Sequence, residues 1–396
     1  MEIESLYWNQ LSVSREMMHR LRKAESLEYF FRCGNASRVE LSRYLRTSKT
    51  VAGKIVQELL NEGWLVEDEY VFTGRCPAQK LKLNSEGTWF LGLTMRDKVA
   101  SYSLIAFDFE NTVLLEEPLE YVDGISGRSA IDLFKRELVR FCDKVRKLMP
   151  QRKLLACSCA MGCVKDSRKQ LIQADFNIRN CNLDKEFSEL LGVPTVVDDP
   201  SVSMILREYW SSAYNPSAGY LYILAFPYVH SAVIIDSKVL RGENGRAGRL
   251  GLTVFPDKQQ QCRTMYDLID RDIMKVKNVG FELAWREPRK LHEVTEYFMS
   301  EKILRPRLPE LSKAIVLGAN AMMAAFAPHE VIVGGVPEHS YDEFRRCFKE
   351  QCAAMPADAP IALKDVRIIH TFPQTYVEAL RALIFTEIVE NCRKNG

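Results

Sequence analysis

The sequence has no apolar run long enough to span a bilayer as a helix. Its longest, Ala314 to Val336, is broken by Asn320, Pro328, His329 and Glu330. Met1-Glu2-Ile3-Glu4 lacks the basic start and apolar stretch of a secretion signal, so the expectation is a soluble, cytoplasmic protein without membrane insertion. A disulfide framework is missing too. Eleven cysteines are scattered through 396 residues, and without a secretion signal they read as reduced thiols packing like small hydrophobes. The one cluster, Cys157-Ser158-Cys159 and then Cys163, falls on an apolar strand with no second ligand pair nearby, and no metal is expected. An excess of one charge is also missing, since 54 basic and 52 acidic residues leave +2. With 47% apolar residues the chain has enough for several cores and is neither disordered nor fibrous.

The near-neutral total hides a local imbalance. Ser14 to Lys54 holds ten basic residues against four acidic ones, so the remainder is net acidic. A basic end on a nearly neutral body is what attraction to backbone phosphates at that end requires. Ser37-Arg38-Val39-Glu40 has the form of a capping box and predicts a helix start. Thr47 or Ser48 caps a second helix running to about Asn61. Its residues Val51, Ile55, Val56, Leu59 and Leu60 recur at three and four, while Ser48, Lys49, Thr50, Gly53 and Lys54 share the other face. Gly63 ends that helix. Two short strands, Trp64 to Val66 and Tyr70 to Phe72, then precede a turn at Thr73-Gly74-Arg75, and Lys80 to Leu83 pairs back. A helix over Ser14 to Arg32 supports the pair. Together these make a winged helix-turn-helix, with Gly74 and Arg75 at the wing; an ordinary helical hairpin is the alternative, since the usual turn glycine is absent. Asn84 to Gly87 reads as a hinge between domains.

Beyond Trp89 the texture is mixed α/β. Strands are expected over Trp89–Thr94, Ala100–Asp108, Thr112–Tyr121, Leu154–Met161 and Thr195–Val197, with helices over Ser129–Leu148, Leu183–Leu191 and Ser201–Tyr214. A second half repeats the theme. Tyr220–Ala225, Ser231–Ile235 and Val331–Gly335 read as strands, and helices are expected over Met265–Asp272, Leu291–Phe298, Leu311–Phe326 and Thr375–Arg393. Two lobes with a cleft between them follow.

The chain resembles the ROK family (repressors, open reading frames and sugar kinases), in its transcriptional-regulator branch, over nearly its whole length. Arg38 to Val56 aligns without a gap on the family's R-A-E-L-A-R-x-T-G-L-S-K-A-T-V-S-R-I-V, with Arg46 at the turn glycine. Thr73-Gly74-Arg75-Cys76-Pro77 is similar to the wing motif T-G-G-R-P, Arg241 to Gly248 to R-G-A-N-G-x-A-G, and Val331 to Gly335 to E-V-I-V-L-G-G. The resemblance implies a winged helix-turn-helix over residues 1–86, followed over 87–396 by a two-lobed actin-like, ribonuclease-H-like sugar-kinase fold that senses a ligand and dimerises.

Against the same family the kinase chemistry is missing. Thr94-Met95-Arg96-Asp97 replaces D-I-G-G-T, and Phe226 to Ala232 replaces G-T-G-I-G-G-G; neither offers the glycines whose amides approach phosphate oxygens. Pro200 falls on the catalytic aspartate, with Asp198 and Asp199 just before it. At the zinc motif Leu252 replaces the histidine, Cys262 alone survives, Thr264 replaces the last glutamate, and Arg249 stands at the sugar-contacting glutamate.

The reading is a DNA-binding repressor of carbohydrate-related genes, not an enzyme, with no cofactor. Its expected partners are a double-stranded operator, a second copy or three more of itself, and a sugar, sugar-phosphate or sugar-acid effector. The expected pocket residues are Asp175, Asn177, Asp198, Asp199, His230, Arg246 and Arg249; the two added arginines favour an acidic ligand, or else are solvated surface residues, and His230 is a ligand contact or a packed histidine. The alternatives are a carbohydrate kinase with an accessory domain and a regulator controlled by a protein partner.

Overall fold

A computed structural model describes residues 15–72, 77–96, 99–119, 125–211, 219–225, 229–256, 261–265, 300–361 and 366–394. The wing turn with Gly74 and Arg75, the segment 226–228, and the helices expected beyond Met265 and over Leu291–Phe298 lie outside these residues.

The chain opens with α1 (Arg15–Cys33), β1 (Asn35–Ser37), α2 (Arg38–Tyr44) and α3 (Lys49–Glu62), then β2 (Leu65–Phe72) and β3 (Pro77–Leu83). The capping box forms as read: the Ser37 hydroxyl accepts from the Glu40 amide at 3.3 Å, and Glu40 accepts from the Ser37 amide at 2.7 Å. Lys80 on β3 adds an ion pair, and it and the Ser37 amide hold the Glu40 carboxyl down at about 2. Ser48 caps α3, and Gly63, at φ 85°, ends it. Arg46 adopts φ 48° where the resemblance has glycine, so the turn keeps its left-handed geometry with an arginine in it. The two short strands expected between Trp64 and Phe72 are one strand, irregular between Glu67 and Tyr70. It pairs antiparallel with β3, which also pairs with β1.

Two five-stranded sheets follow, each with two antiparallel and two parallel pairings. The first contains β4 (Thr88–Arg96), β5 (Val99–Phe107), β6 (Val113–Pro118), β7 (Lys153–Ala160) and β11 (Thr195–Asp198), in the order β11-β7-β4-β5-β6. Between them run α4 (Arg128–Leu148), a small sheet of β8 (Cys163–Lys165), β9 (Leu171–Ala174) and β10 (Ile178–Cys181), and α5 (Leu183–Leu191). After α6 (Pro200–Ser211), β12 (Tyr220–Leu224), β13 (His230–Ile235) and β14 (Lys238–Val239) begin the second sheet. The short strands β15 (Val254–Pro256) and β16 (Cys262–Thr264) pair with each other, and α7 (Leu308–Phe326), β17 (Glu330–Val336), α8 (Tyr341–Ala353), β18 (Val366–His370) and α9 (Pro373–Lys394) complete the described chain. The second order, β14-β13-β12-β17-β18, repeats the first. Most boundaries fall within a few residues of expectation; β1, β8 to β10, β14 to β16, α8 and β18 were not expected. The glycines Gly334 and Gly335 lie within β17, as an irregularity in its pairing with β18, and do not end it.

The outer face of the first sheet packs on α4 and α5, that of the second on α7 and α8. Helices α6 and α9 share a core with the two sheets and with α1 to α3. The expected hinge is instead a fastened joint. The Asn84 amide donates to Gly63 O at 3.1 Å, Arg152 donates to Ser85 O at 2.7 Å and Thr88 O at 3.1 Å, and the Lys153 amide donates to Gly87 O at 2.9 Å. Above it, Phe31 of α1 stacks on Phe385 of α9 at 3.9 Å, with Trp210 of α6 edge-on at 5.4 Å and the Arg32 guanidinium 4.6 Å over the Trp210 ring.

Candidate functional site

The first candidate is the outer face of α3. Ala52, Ile55, Val56 and Leu59 are buried, so the 3.6-residue period leaves Ser48, Lys49, Thr50 and Lys54 exposed and Gly53 half-buried. Strand β2 packs beside the helix. Exposed Tyr70 and Phe72 lie near the end of β2 that leads to the wing turn. The arrangement is a helix end with a free polar and cationic face next to a hairpin, a shape that fits a duplex groove.

The second is a cavity of about 360 Å³ at the carboxyl ends of β7 and β11, where open α/β sheets place ligands. Asp198 ends β11 and Asp199 follows it. Asp198 accepts a two-pronged pair from Arg241, one arm at 2.8 Å. Burial would raise the Asp198 carboxyl, but Arg241 holds it below the usual carboxylate range. Asp199 faces His230 Nδ1 at 2.8 Å and caps α6 by accepting from the Ser201 amide at 2.9 Å and hydroxyl at 2.6 Å. Burial pulls the two in opposite senses, but the pairing prevails: His230 is held above its ordinary value and Asp199 below. Beneath them Lys165 of β8, 3% exposed, donates to Asp184 at 2.7 and 2.9 Å and to Val197 O at 2.7 Å.

Of the expected pocket residues, Asn177, Asp198, Asp199, His230 and Arg249 line the cavity. Arg246 is exposed and is not among the lining residues. Asp175 lies behind the wall, buried, bonded by the Tyr102 hydroxyl and by the Gly162 amide at 3.1 Å, with Oδ1 unpartnered among the described residues. Missed by the sequence reading were Arg241, Lys165, Arg179 and Ser201. Arg241 was visible as the first residue of a matched motif and Ser201 as the start of an expected helix, whereas Lys165 and Arg179 sit on short strands with no periodic signal.

Asp175 gives a test of this geometry. Burial raises its carboxyl from 3.8 to about 6, against the pull of Tyr102, Gly162 and His230 and with that of Asp199. Between about pH 4 and 6 the folded chain keeps a proton that the unfolded chain has lost, so stability falls as pH rises through that window. Asp175→Asn should therefore raise stability by about 1–2 kcal/mol at pH 8 and flatten the slope between pH 4 and 6, read from urea midpoints. An unchanged slope would mean that Asp175 is already ionised throughout.

The zinc-motif positions do not fit a metal. Leu252 is exposed on a turn, and Cys262 on β16 has Thr264 as its second neighbour. Among the described residues no group of three His, Cys, Asp or Glu side chains is placed to hold an ion. No described helix is long and apolar enough to cross a membrane.

No family model matches the sequence. Among curated proteins, the xylose repressor of Caldicellulosiruptor bescii is 23% identical over 320 residues, 75% of this chain and 78% of that protein. The xylose repressor of Staphylococcus xylosus is 22% identical over 352 residues, 85% of this chain and 88% of its own length. Among solved structures, a ROK family transcriptional regulator homologous to the E. coli MLC protein superposes with a TM-score of 0.69 at 16% identity, covering 95% of this chain and 98% of that one.

Proposed function

We propose, for a chain that belongs to the ROK family, the work of a transcriptional repressor that binds an operator through α3 and is controlled from the cavity. The observation that carries it is the exposed face of Ser48, Lys49, Thr50 and Lys54 on a helix whose other side is fully committed to packing. Residues 1–86 form the DNA-binding part in this reading, with Gly74 and Arg75 at the wing reaching the backbone or minor groove. Residues 87–396 form the effector and assembly part, as a homodimer or homotetramer in the cytoplasm. The effector is a carbohydrate or a derivative of one, in keeping with the xylose repressors it resembles. Helix α6 links the parts, since Asp199 caps one end and Trp210 at the other packs against Phe31 of α1.

The reading includes no phosphoryl transfer. Where a phosphate loop would follow the first strand, Thr94 and Met95 remain in β4, paired with Ser103 and Tyr102 of β5. Pro200 begins α6 at the place of the base, and the neighbouring Asp199 is taken up by His230 and Ser201.

The test is to recover and sequence the genomic DNA that the purified protein retains, and to assay ATP turnover over hexoses, pentoses and sugar acids. One enriched, roughly palindromic site and no turnover are expected. Absence of any enriched sequence would remove the repressor reading, and turnover lost in Asp199→Asn would make the body a kinase with a shifted base.

A further inference from the structure

We infer that the cavity selects a sugar acid, a polyhydroxylated ligand whose carboxylate is taken by Arg179 and Arg249; this rests on the effector reading above. The charges that line the cavity are matched pair by pair with two exceptions. Arg241 matches Asp198, His230 matches Asp199, and Lys165 matches Asp184. Arg179, from β10, and Arg249, after the 243–245 turn, line the same cavity with no carboxylate within ion-pair distance among the described residues. The Arg249 charge is felt at His230, where it opposes the ring's protonation, so the guanidinium bears on the cavity wall and not only on solvent.

Arg179 is also prepared. Its Nε donates to Asn177 Oδ1 at 2.9 Å, which leaves the two terminal nitrogens as a planar fork. The hairpin that presents it holds Phe176, Asn177 and Asn180 at φ 59°, 53° and 49°. Three non-glycine residues in that region within five positions are costly, and such strain gathers where a side chain has to be aimed. The paired aspartates do not repel an anion, since each already accepts from a cationic partner.

Carboxylate is favoured over phosphate by what the backbone offers. Phosphate sites are built from free amides at a helix start or a glycine loop. At the start of α6 and after β7 the amides are occupied by protein carboxylates: Ser201 N by Asp199, Asp199 N by Asp198, and Gly162 N by Asp175. The unmatched cations of the cavity are guanidinium, whose fork fits a carboxylate in two-pronged fashion. A volume near 360 Å³ is at the small end of ligand sites and holds one monosaccharide.

The test is calorimetry on the full chain with glucuronate, galacturonate, gluconate and xylonate, against glucose and xylose, and against glucose 6-phosphate. At least one acid should bind, its neutral counterpart should not, and Arg249→Gln or Arg179→Gln should weaken it about ten- to a hundredfold. Both arginines are exposed, so unliganded melting temperatures should stay unchanged and certify the fold. Equal binding of neutral sugars, a preference for the phosphate, silence of the whole panel at millimolar concentration, or affinity that survives both variants would overturn the proposal. The readout does not involve DNA, so its failure leaves the operator reading standing, and loss of the operator reading leaves the binding result standing.

Discussion

Reversing two charges on α3, Lys49→Glu with Lys54→Glu, is expected to reduce operator affinity at least a hundredfold while leaving the melting temperature and the cavity untouched. Both side chains are exposed on the helix face opposite the buried Ile55, Val56 and Leu59, so neither contributes to the core. On DNA each lysine loses a contact of about 1–3 kcal/mol if it meets a base, and a released counterion if it meets a phosphate. The two introduced carboxylates then repel the backbone. Fluorescence anisotropy across a salt series separates the cases, because loss of phosphate contacts flattens the slope of log affinity against log salt, whereas loss of base contacts relaxes sequence preference at constant slope. Affinity within twofold of the starting protein at every salt concentration would show that α3 does not enter the groove.

The second large effect concerns stability. Lys165→Ala should cost about 3–5 kcal/mol, because it strands the Asp184 carboxylate in the interior with only the Val197 amide, at 3.0 Å, to bond it. The pair is 3% and 7% exposed, so water cannot take over from the lost ammonium. Removing both charges with residues of similar volume, Lys165→Met with Asp184→Leu, should return the stability to within about 1–2 kcal/mol of the starting protein. Urea unfolding of the single and double variants measures the difference as a cycle. A single variant that costs under about 1 kcal/mol would mean that the pair is hydrated in solution. The pair ties β8 to α5 and to the end of β11, so the single variant should also loosen the wall that carries Asp198 and Asp199.

Local signals in the sequence were enough for the N-terminal helices. A capping box, a capping serine, a three-and-four apolar period and a terminating glycine all act over a few residues, and α2 and α3 formed where those signals placed them. The strand pair of the wing was misread as broken because Glu67-Asp68-Glu69 interrupts the alternation; pairing with β3 carries the backbone through that stretch with a single irregularity. Arg46 shows the same override, its left-handed φ imposed by the packing of α2 on α3 and not by its own preference.

The body divides the same way. Long amphipathic helices and apolar strands carry their own period, so α4, α5, β7 and β12 were legible, whereas β8, β10 and β18, of three to five residues, take their conformation from a neighbouring strand. The joint at Asn84 to Gly87 has the composition of a hinge, and the approach of Gly63, Arg152 and Lys153 from elsewhere in the chain fastens it.

What the sequence determined alone is therefore what nearest neighbours decide: the exposed polar face of α3, the loss of phosphate-loop glycines, and the aspartates at 198 and 199. Which charge matches which was decided by tertiary structure. Arg241 reaches Asp198 across 43 positions, His230 reaches Asp199 across 31, and Lys165 reaches Asp184 across 19, so that of the expected cations Arg249 lines the cavity and Arg246 does not. Those pairings depend on where two sheets and the loops at their ends come together, and electrostatic complementarity across such distances leaves no period or spacing in the sequence to read.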